Sequence, residues 1–254
     1  MDFSARYVAL GDSFTEGVGD DDPTRPNGVR GWADVVASQL AQSNQEVGYA
    51  NLAIRGRKLR QIMAEQVDAA IALRPTLVTM YAGANDILRP KVDIDSLLED
   101  YDAGIGKLSA AGATVVLFTG FDAKSSKVFG AMRGRTAIYN ELVREIAQDH
   151  GALLVDYWCF DEYDDWRMWG EDRMHMSTAG HINMAKRVLD VLEYEHVIEV
   201  PELAPLRLMN RVETLKANAR WLRESAVPWV SRRVRGVSSG DGLHPKYPEL
   251  IRPS

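Results

Sequence analysis

Gly11-Asp12-Ser13 closes a short apolar run, Tyr7 to Leu10, and puts a hydroxyl at the end of a predicted strand. A serine hydroxyl attacks a carbonyl only when a base takes its proton, and histidine, titrating near neutrality, is the usual base. The imidazole in turn needs an acceptor for its second ring N–H. Two stretches supply an acid and a histidine three residues apart, Asp172-Arg173-Met174-His175 and Asp241-Gly242-Leu243-His244. Acyl transfer also needs N–H donors where negative charge develops, and Asn85, in Gly83-Ala84-Asn85-Asp86, offers a side-chain amide. Each string alone also has a plain structural reading. Gly56 and Gly83 suit turns, Asp12 or Ser13 a helix cap, and Asn85 an Asx turn, while Asp172 suits a turn cap and His175 a packed or solvated site.

These residues need elements to bring them together. Five short runs read as strands: Tyr7 to Leu10, Val47 to Leu52, Leu77 to Tyr81, Thr114 to Phe118 and Leu153 to Asp156. Between them, apolar residues recur at helical spacing: Trp32, Val35, Val36 and Leu40; Leu59, Ile62, Met63 and Val67; Leu97, Leu98, Tyr101, Ile105 and Leu108; Ile138, Leu142, Val143 and Ile146. Alternating strands and amphipathic helices predict a parallel sheet covered on both faces. Ligands bind such sheets at the carboxyl ends of the strands, where Ser13, Gly56 and Asn85 all fall.

Context also separates the two histidines. His175 follows the fifth strand and an aromatic, acidic loop, Asp156 to Trp169, expected to lie over the rim, its aromatics either packed on the core as anchors, the commoner case, or forming the wall of a small acyl pocket. Ser177 is a plausible N-cap of a helix whose stripe of Ile182, Ala185, Val188, Leu189 and Leu192 would anchor the loop. His244 has the neighbouring Pro245 but sits in a Gly-, Ser- and Pro-rich end, 236–254, expected to be irregular. His175 is therefore the expected base and His244 a bystander.

The constellation resembles the SGNH or GDSL family of hydrolases. Gly11-Asp12-Ser13 is similar to that family's first block, Gly56 to the glycine of the second, Gly83-x-Asn85-Asp86 to the third and Asp172-x-x-His175 to the last. The resemblance runs from about residue 5 to 192. It implies a flavodoxin-like three-layer α/β/α sandwich with a five-stranded parallel sheet. It further implies Ser13 as nucleophile, His175 as general base, Asp172 as its orienter, and an oxyanion hole made of the Ser13 and Gly56 backbone N–H groups and the Asn85 amide. The sequence departs from the pattern of many members at Met176, where they carry proline.

The chain's 254 residues, 46% of them hydrophobic, suit one large domain with an appendage, the division falling at 1–195 and 196–254. Pro201 and Pro205 mark the linker, and Leu206 to Ser225 reads as a helix. From Leu206 onward ten Lys/Arg face four Asp/Glu, a formal +6 that leaves −12 on the rest. This basic extension is expected to lie on an acidic body, its own or that of a second copy in a homo-oligomer. Net charge −6 argues against nucleic acid as a general partner. No apolar run is long enough to span a membrane, and no leader precedes Tyr7, which suggests a cytoplasmic location. The lone Cys159 excludes an internal disulfide. No cofactor is expected, and no metal, since Asp20-Asp21-Asp22 reads as a solvated loop rather than a calcium site.

The expected function is hydrolysis of carboxylic esters, with short neutral acyl groups, through an acyl-serine. Acyl transfer, or thioesterase or lysophospholipase activity, on the same residues is the nearest alternative. A ligand-binding module is more remote, because the Gly-Lys-Ser/Thr of a phosphate loop and the dinucleotide glycine spacing are both missing.

Overall fold

The computed structural model describes residues 3–125, 130–206 and 210–253. Part of the leader reading (residues 1–2) and of the helix expected from Leu206 (residues 207–209) lie outside the described residues.

Strands β1 (Ala5–Gly11), β2 (Val47–Asn51), β3 (Leu77–Tyr81), β4 (Thr114–Phe118) and β5 (Leu153–Val155) lie parallel in the order β5-β4-β3-β1-β2. Successive side chains of a strand point to opposite faces, so β1 feeds two cores at once. Val8 and Leu10 enter one, and Tyr7 and Ala9 enter the other. Helices α1 (Ser13–Glu16), α2 (Trp32–Ser43), α3 (Leu59–Ile62), α4 (Asp68–Ala72), α5 (Ala84–Ile87), α6 (Ile94–Ala110), α7 (Arg133–Asp149) and α8 (Thr178–Val191) follow the strands. Leu59 and Ile62 of α3, Leu97 to Leu108 of α6 and Val143 and Ile146 of α7 cover the Val8–Leu10 face. Trp32, Val36, Met184 and Val188 of α2 and α8 cover the Tyr7–Ala9 face. The three-layer α/β/α class follows from this alternation.

The chain leaves β1 for β2 on one side and then places β3 on the other side of β1. That reversal opens a crevice between the carboxyl ends of β1 and β3, where open α/β sheets bind ligands. Ser13 begins α1 just past β1, and Asn85 lies in α5 just past β3.

Two expectations about the C-terminal end are corrected. The sheet has six strands rather than five, because β6 (Tyr247–Ile251) pairs antiparallel with β2. The segment 236–254 is therefore not simply irregular: its end is an edge strand, where Pro248 is tolerated because one side needs no ladder hydrogen bond. Lys246, just before β6, is buried and its Nζ donates to Asp34 Oδ2 at 2.8 Å and to the Arg30 carbonyl. Asp34 Oδ1 accepts from Tyr49 OH at 2.6 Å, and Asn51 Nδ2 donates to Tyr49 OH and to the Thr15 carbonyl, both at 3.0 Å. This chain of polar groups ties the tail to α1. Removing one partner of a buried pair strands the other charge, so Lys246→Ala should cost about 3–5 kcal/mol in urea unfolding. A loss below about 1 kcal/mol, the range of an exposed pair, would show that the pair is not buried in solution.

The extension before β6 is helical: α9 (Arg211–Trp221), a π-helical turn (Leu222–Ala226) and α10 (Val227–Val234) follow one another without a break. Among the described residues no helix is long and apolar enough to cross a membrane.

Candidate active site

Asp12 caps α1, its Oδ1 accepting from the Phe14 N–H at 3.1 Å, and this sets Ser13 at the first helical position. Gly11 before it has φ +146°, and a Cβ there would lie 2.6 Å from the Tyr81 carbonyl oxygen, so glycine is required where β1 turns beside β3. Gln66 fixes the same turn by a double hydrogen bond: its Oε1 accepts from the Gly11 N–H at 2.8 Å and its Nε2 donates to the Gly11 carbonyl at 2.9 Å.

The structure brings Ser13, His175 and Asp172 into one line. Ser13 Oγ is 3.1 Å from His175 Nε2, and His175 Nδ1 is 2.5 Å from Asp172 Oδ2. An ionised carboxylate only accepts, so Nδ1 carries the proton and Nε2 keeps its lone pair toward Ser13. Asp172 Oδ1 accepts the backbone N–H groups of Met174 at 2.9 Å and His175 at 3.0 Å. Burial pushes the Asp172 carboxyl upward, but the His175 side chain and these N–H groups outweigh it and hold it below the usual carboxylate range.

The loop carrying this pair is closed without proline at position 176. Gly170 N–H donates to the His175 carbonyl at 2.8 Å, Ser177 N–H donates to the Met168 carbonyl at 2.9 Å, and Trp169 bridges to Met176. Ser177 caps α8, and Trp221 of α9 donates from Nε1 to the Asp172 carbonyl at 2.7 Å. Arg173 donates to Asn218 Oδ1 at 2.9 Å and its guanidinium lies over the Trp221 ring. The extension thus buttresses the loop that holds the imidazole. Below it, the buried His181 accepts from the Trp32 N–H and donates to the Val18 carbonyl, and burial pushes it down to about 4. It is a neutral strut.

The expected oxyanion donors fare differently. Among the described residues, neither the Ser13 nor the Gly56 backbone N–H has an internal acceptor. Gly56 has φ +78°, which favours glycine, and a Cβ there would displace Ser238 Oγ of the tail, which lies 2.1 Å from that position. Gly56 itself does not line the cleft. The next residue does connect to it, because Asn85 Nδ2 donates to the Arg57 carbonyl at 3.1 Å and to Asp12 Oδ2 at 2.9 Å. Both amide hydrogens of Asn85 are thus engaged in this resting state.

Glu16 holds the Gly56 loop from the other side. Its buried carboxylate accepts from the Arg55 backbone N–H at 2.6 Å, from the Arg55 guanidinium, and from Asn27 Nδ2 at 3.0 Å. Sequence reading missed Glu16, Gln66 and the tail. Gln66 left a trace, since it stands seven residues after Leu59 on the inner stripe of that helix, where an apolar residue was due. Glu16 left none, because its partner Arg55 is distant in sequence.

Burial pushes the Asp12 carboxyl up to about 7, with the neighbouring Asp86 adding to it and the Phe14 N–H, His175 and Asn85 opposing. The native state therefore keeps a proton that the unfolded chain releases near pH 3.8. Stability from this group is complete below pH 3.8 and is lost as pH rises to about 7. The Tm of Asp12→Asn minus that of the wild type should accordingly grow between about pH 4 and pH 7 and then level off. A difference independent of pH in calorimetric melts would contradict this burial.

The cleft has a volume of about 170 Å³. Its floor is Ser13, Phe14 and Tyr81, and its walls include Phe121, Tyr157, Trp169, Met174 and, from α10, Trp229. Tyr157 and Trp169 line the cleft, while Tyr157 and Tyr163 are also buried in the core, so the loop's aromatics are both wall and anchor. The loop's acids face elsewhere: Asp161 and Asp164 pair with Lys124, Asp165 with Arg167, and Glu162 with Arg187. Asp20 accepts from Arg30, Gly31 and Thr178 rather than standing open, and among the described residues no cluster of His, Cys, Asp or Glu could hold a metal ion. Cys159 is exposed and outside the cleft, and partial desolvation together with the neighbouring Asp156 carboxylate raises its thiol. Asp241 accepts from the Ser238 N–H at 2.8 Å and lies 3.8 Å from Arg57, whereas His244 is fixed through its carbonyl, which accepts from Asn27. The second Asp-x-x-His string is therefore a clamp on the Gly56 loop.

Residues 9–181 match the family described as GDSL-like Lipase/Acylhydrolase. An acetylxylan esterase of Geobacillus stearothermophilus is 27% identical over 217 residues, covering 76% of this chain and 95% of that protein. The crystal structure of an acetylxylan esterase from the same organism superposes with a TM-score of 0.63 at 22% identity, covering 77% of this chain and 98% of the other. An alpha/beta hydrolase enzyme from the metagenome of Lake Arreo, Spain, gives 0.63 at 21% identity, with 76% and 97% covered. At this level of identity the structural matches speak to the fold.

Proposed function

The chain belongs to the GDSL-like lipase/acylhydrolase family and is a carboxylic ester hydrolase, and we propose that it works through an acyl-enzyme formed on Ser13. The observation that carries this reading is the line from Ser13 Oγ through His175 to the ionised Asp172. His175 Nε2 takes the Ser13 hydroxyl proton as Oγ attacks the ester carbonyl. Asp172 keeps the proton on Nδ1 and stabilises the imidazolium that forms. The Ser13 N–H and the Asn85 amide receive the oxyanion, and the Gly56 N–H, outside the cleft in this resting structure, joins them only after its loop shifts; the Nε2 proton then goes to the departing alkoxide. Water, deprotonated by the same imidazole, releases the acid and restores Ser13.

Asn85 must share or redirect one amide hydrogen to do this. Loss of one preorganised donor costs about 10²- to 10³-fold, so Asn85→Ala should lower kcat by that order with KM little changed. A raised KM at constant kcat would instead assign Asn85 to ground-state binding.

For substrate, the reading is a short, neutral acyl ester. The apolar walls and small cleft support it, since an unpaired charge is costly to bury there. The relative's action on acetylated xylan is in keeping with a small acyl group. A p-nitrophenyl ester series from acetate to palmitate tests the claim: kcat/KM should be greatest at the short end. A maximum at long chains would overturn it in favour of a lipase or thioesterase. Acyl transfer is the second reading, since an alcohol in place of water would complete the same cycle.

A further inference from the structure

The helix running from α9 through the π-turn to α10 has two unlike faces. Toward the body it sends Trp221 to the Asp172 carbonyl and Trp229 into the cleft. Away from the body stand Val212, Leu215, Leu222, Val227, Val230 and Val234, each half exposed or more. Exposed Ala219 fills the gap, so the stripe advances in steps of three, four, three, five, three and four residues. At about 100° per residue a five-residue step would swing Val227 about 140° round from Leu222 and spread the stripe over an arc of about that width. It falls from Leu222 to Val227, across the π-turn, whose wider winding absorbs the extra residue. The π-turn therefore narrows the stripe along the length of the helix.

Beside the stripe lie Lys216, Arg220, Arg223, Arg232 and Arg235. Residues 211–235 hold seven Lys/Arg against two Glu. Arg223 pairs with Glu224, whereas among the described residues Lys216, Arg220, Arg232 and Arg235 make no ion pair. Of the basic tail expected to lie on an acidic body, its own or a second copy's, Lys246 pairs with Asp34 of its own body, whereas these four cations of the helix do not pair among the described residues.

We propose that this helix is an interfacial element that seats the protein on an anionic lipid bilayer, its valine and leucine stripe entering the acyl boundary and its basic flank meeting the headgroups. A long apolar stripe edged by cations is the pattern that lies in a membrane interface. Charge decides against a second copy stacked stripe on stripe as occupant. A two-fold axis perpendicular to the helix would stack stripe on stripe but set each basic flank against its equal.

The test uses the full chain with Ser13→Ala, so that it reads binding alone and is independent of the proposed chemistry. Co-sedimentation is measured with vesicles of phosphatidylcholine and with vesicles containing about 30% phosphatidylglycerol, a fraction that gives a negative surface potential. Most of the protein should pellet with the anionic vesicles and little with the neutral ones, and high salt should release it. The double substitution Leu222→Glu, Val230→Glu should lower the bound fraction about tenfold or more by setting charge in the stripe. In the Ser13 background the same pair should leave the thermal melt and p-nitrophenyl acetate turnover unchanged. Failure to pellet with either vesicle, or equal pelleting of parent and double variant, would overturn the proposal. So would a dimer in light scattering that the double substitution dissolves, which would assign the stripe to a second copy.

Discussion

His175→Ala should lower kcat by roughly 10⁴- to 10⁶-fold on a soluble ester, the range seen when the base of such a triad is removed. The expectation rests on position. His175 Nε2 faces Ser13 Oγ at 3.1 Å, within the reach a general base needs, and no other described histidine is hydrogen-bonded to that hydroxyl. His244→Ala, by contrast, should leave kcat within a few fold, because His244 contributes its backbone carbonyl to Asn27. Steady-state kinetics on both variants decide between the two Asp-x-x-His strings. An active His175 variant with a dead His244 variant would move the active site into the C-terminal tail.

The second large effect concerns Asp172, whose replacement by asparagine keeps the size and changes the proton. Asp172 Oδ1 accepts two backbone N–H groups, so the amide oxygen of an asparagine would take that place and its NH₂ would face His175 Nδ1. The ring must then accept at Nδ1 and carry its proton at Nε2, toward Ser13. That is the wrong tautomer for a base. Asp172→Asn should therefore lose about 10⁴-fold in kcat with its fold intact. KM should change little, since no substrate-binding group has moved. A loss of less than about tenfold would mean that the imidazole is oriented by the loop alone, an effect about a thousandfold smaller than triad logic requires.

Much of this arrangement was legible in the chain. The β1 to β5 runs are short and apolar, and the helices between them repeat at helical spacing, so the three-layer fold follows from pattern alone. The residues of the catalytic line stand at strand ends and before a capped helix, where a reader of sequence looks first. What escaped was non-local. Tyr247-Pro248-Glu249-Leu250-Ile251 has no strand periodicity, and becomes a strand because β2 offers an unpaired edge nearly two hundred residues earlier. Lys246 reads as one more surface cation until Asp34 is placed against it. The π-turn hides how narrow the apolar stripe is, since under ordinary helical winding Val227 stands about 140° round from Leu222. In each case the deciding partner lies far along the chain or in an irregular turn of backbone.

The central claim is that Ser13 forms the covalent intermediate, and the most direct measurement is intact-mass and peptide mapping after reaction with a p-nitrophenyl alkylphosphonate. One phosphonyl group should add to each chain, the modified peptide should map to Ser13, and esterase activity should fall in step with labelling. Ser13→Ala should neither label nor turn over substrate. Labelling at another residue, or full activity in a fully labelled protein, would contradict the account.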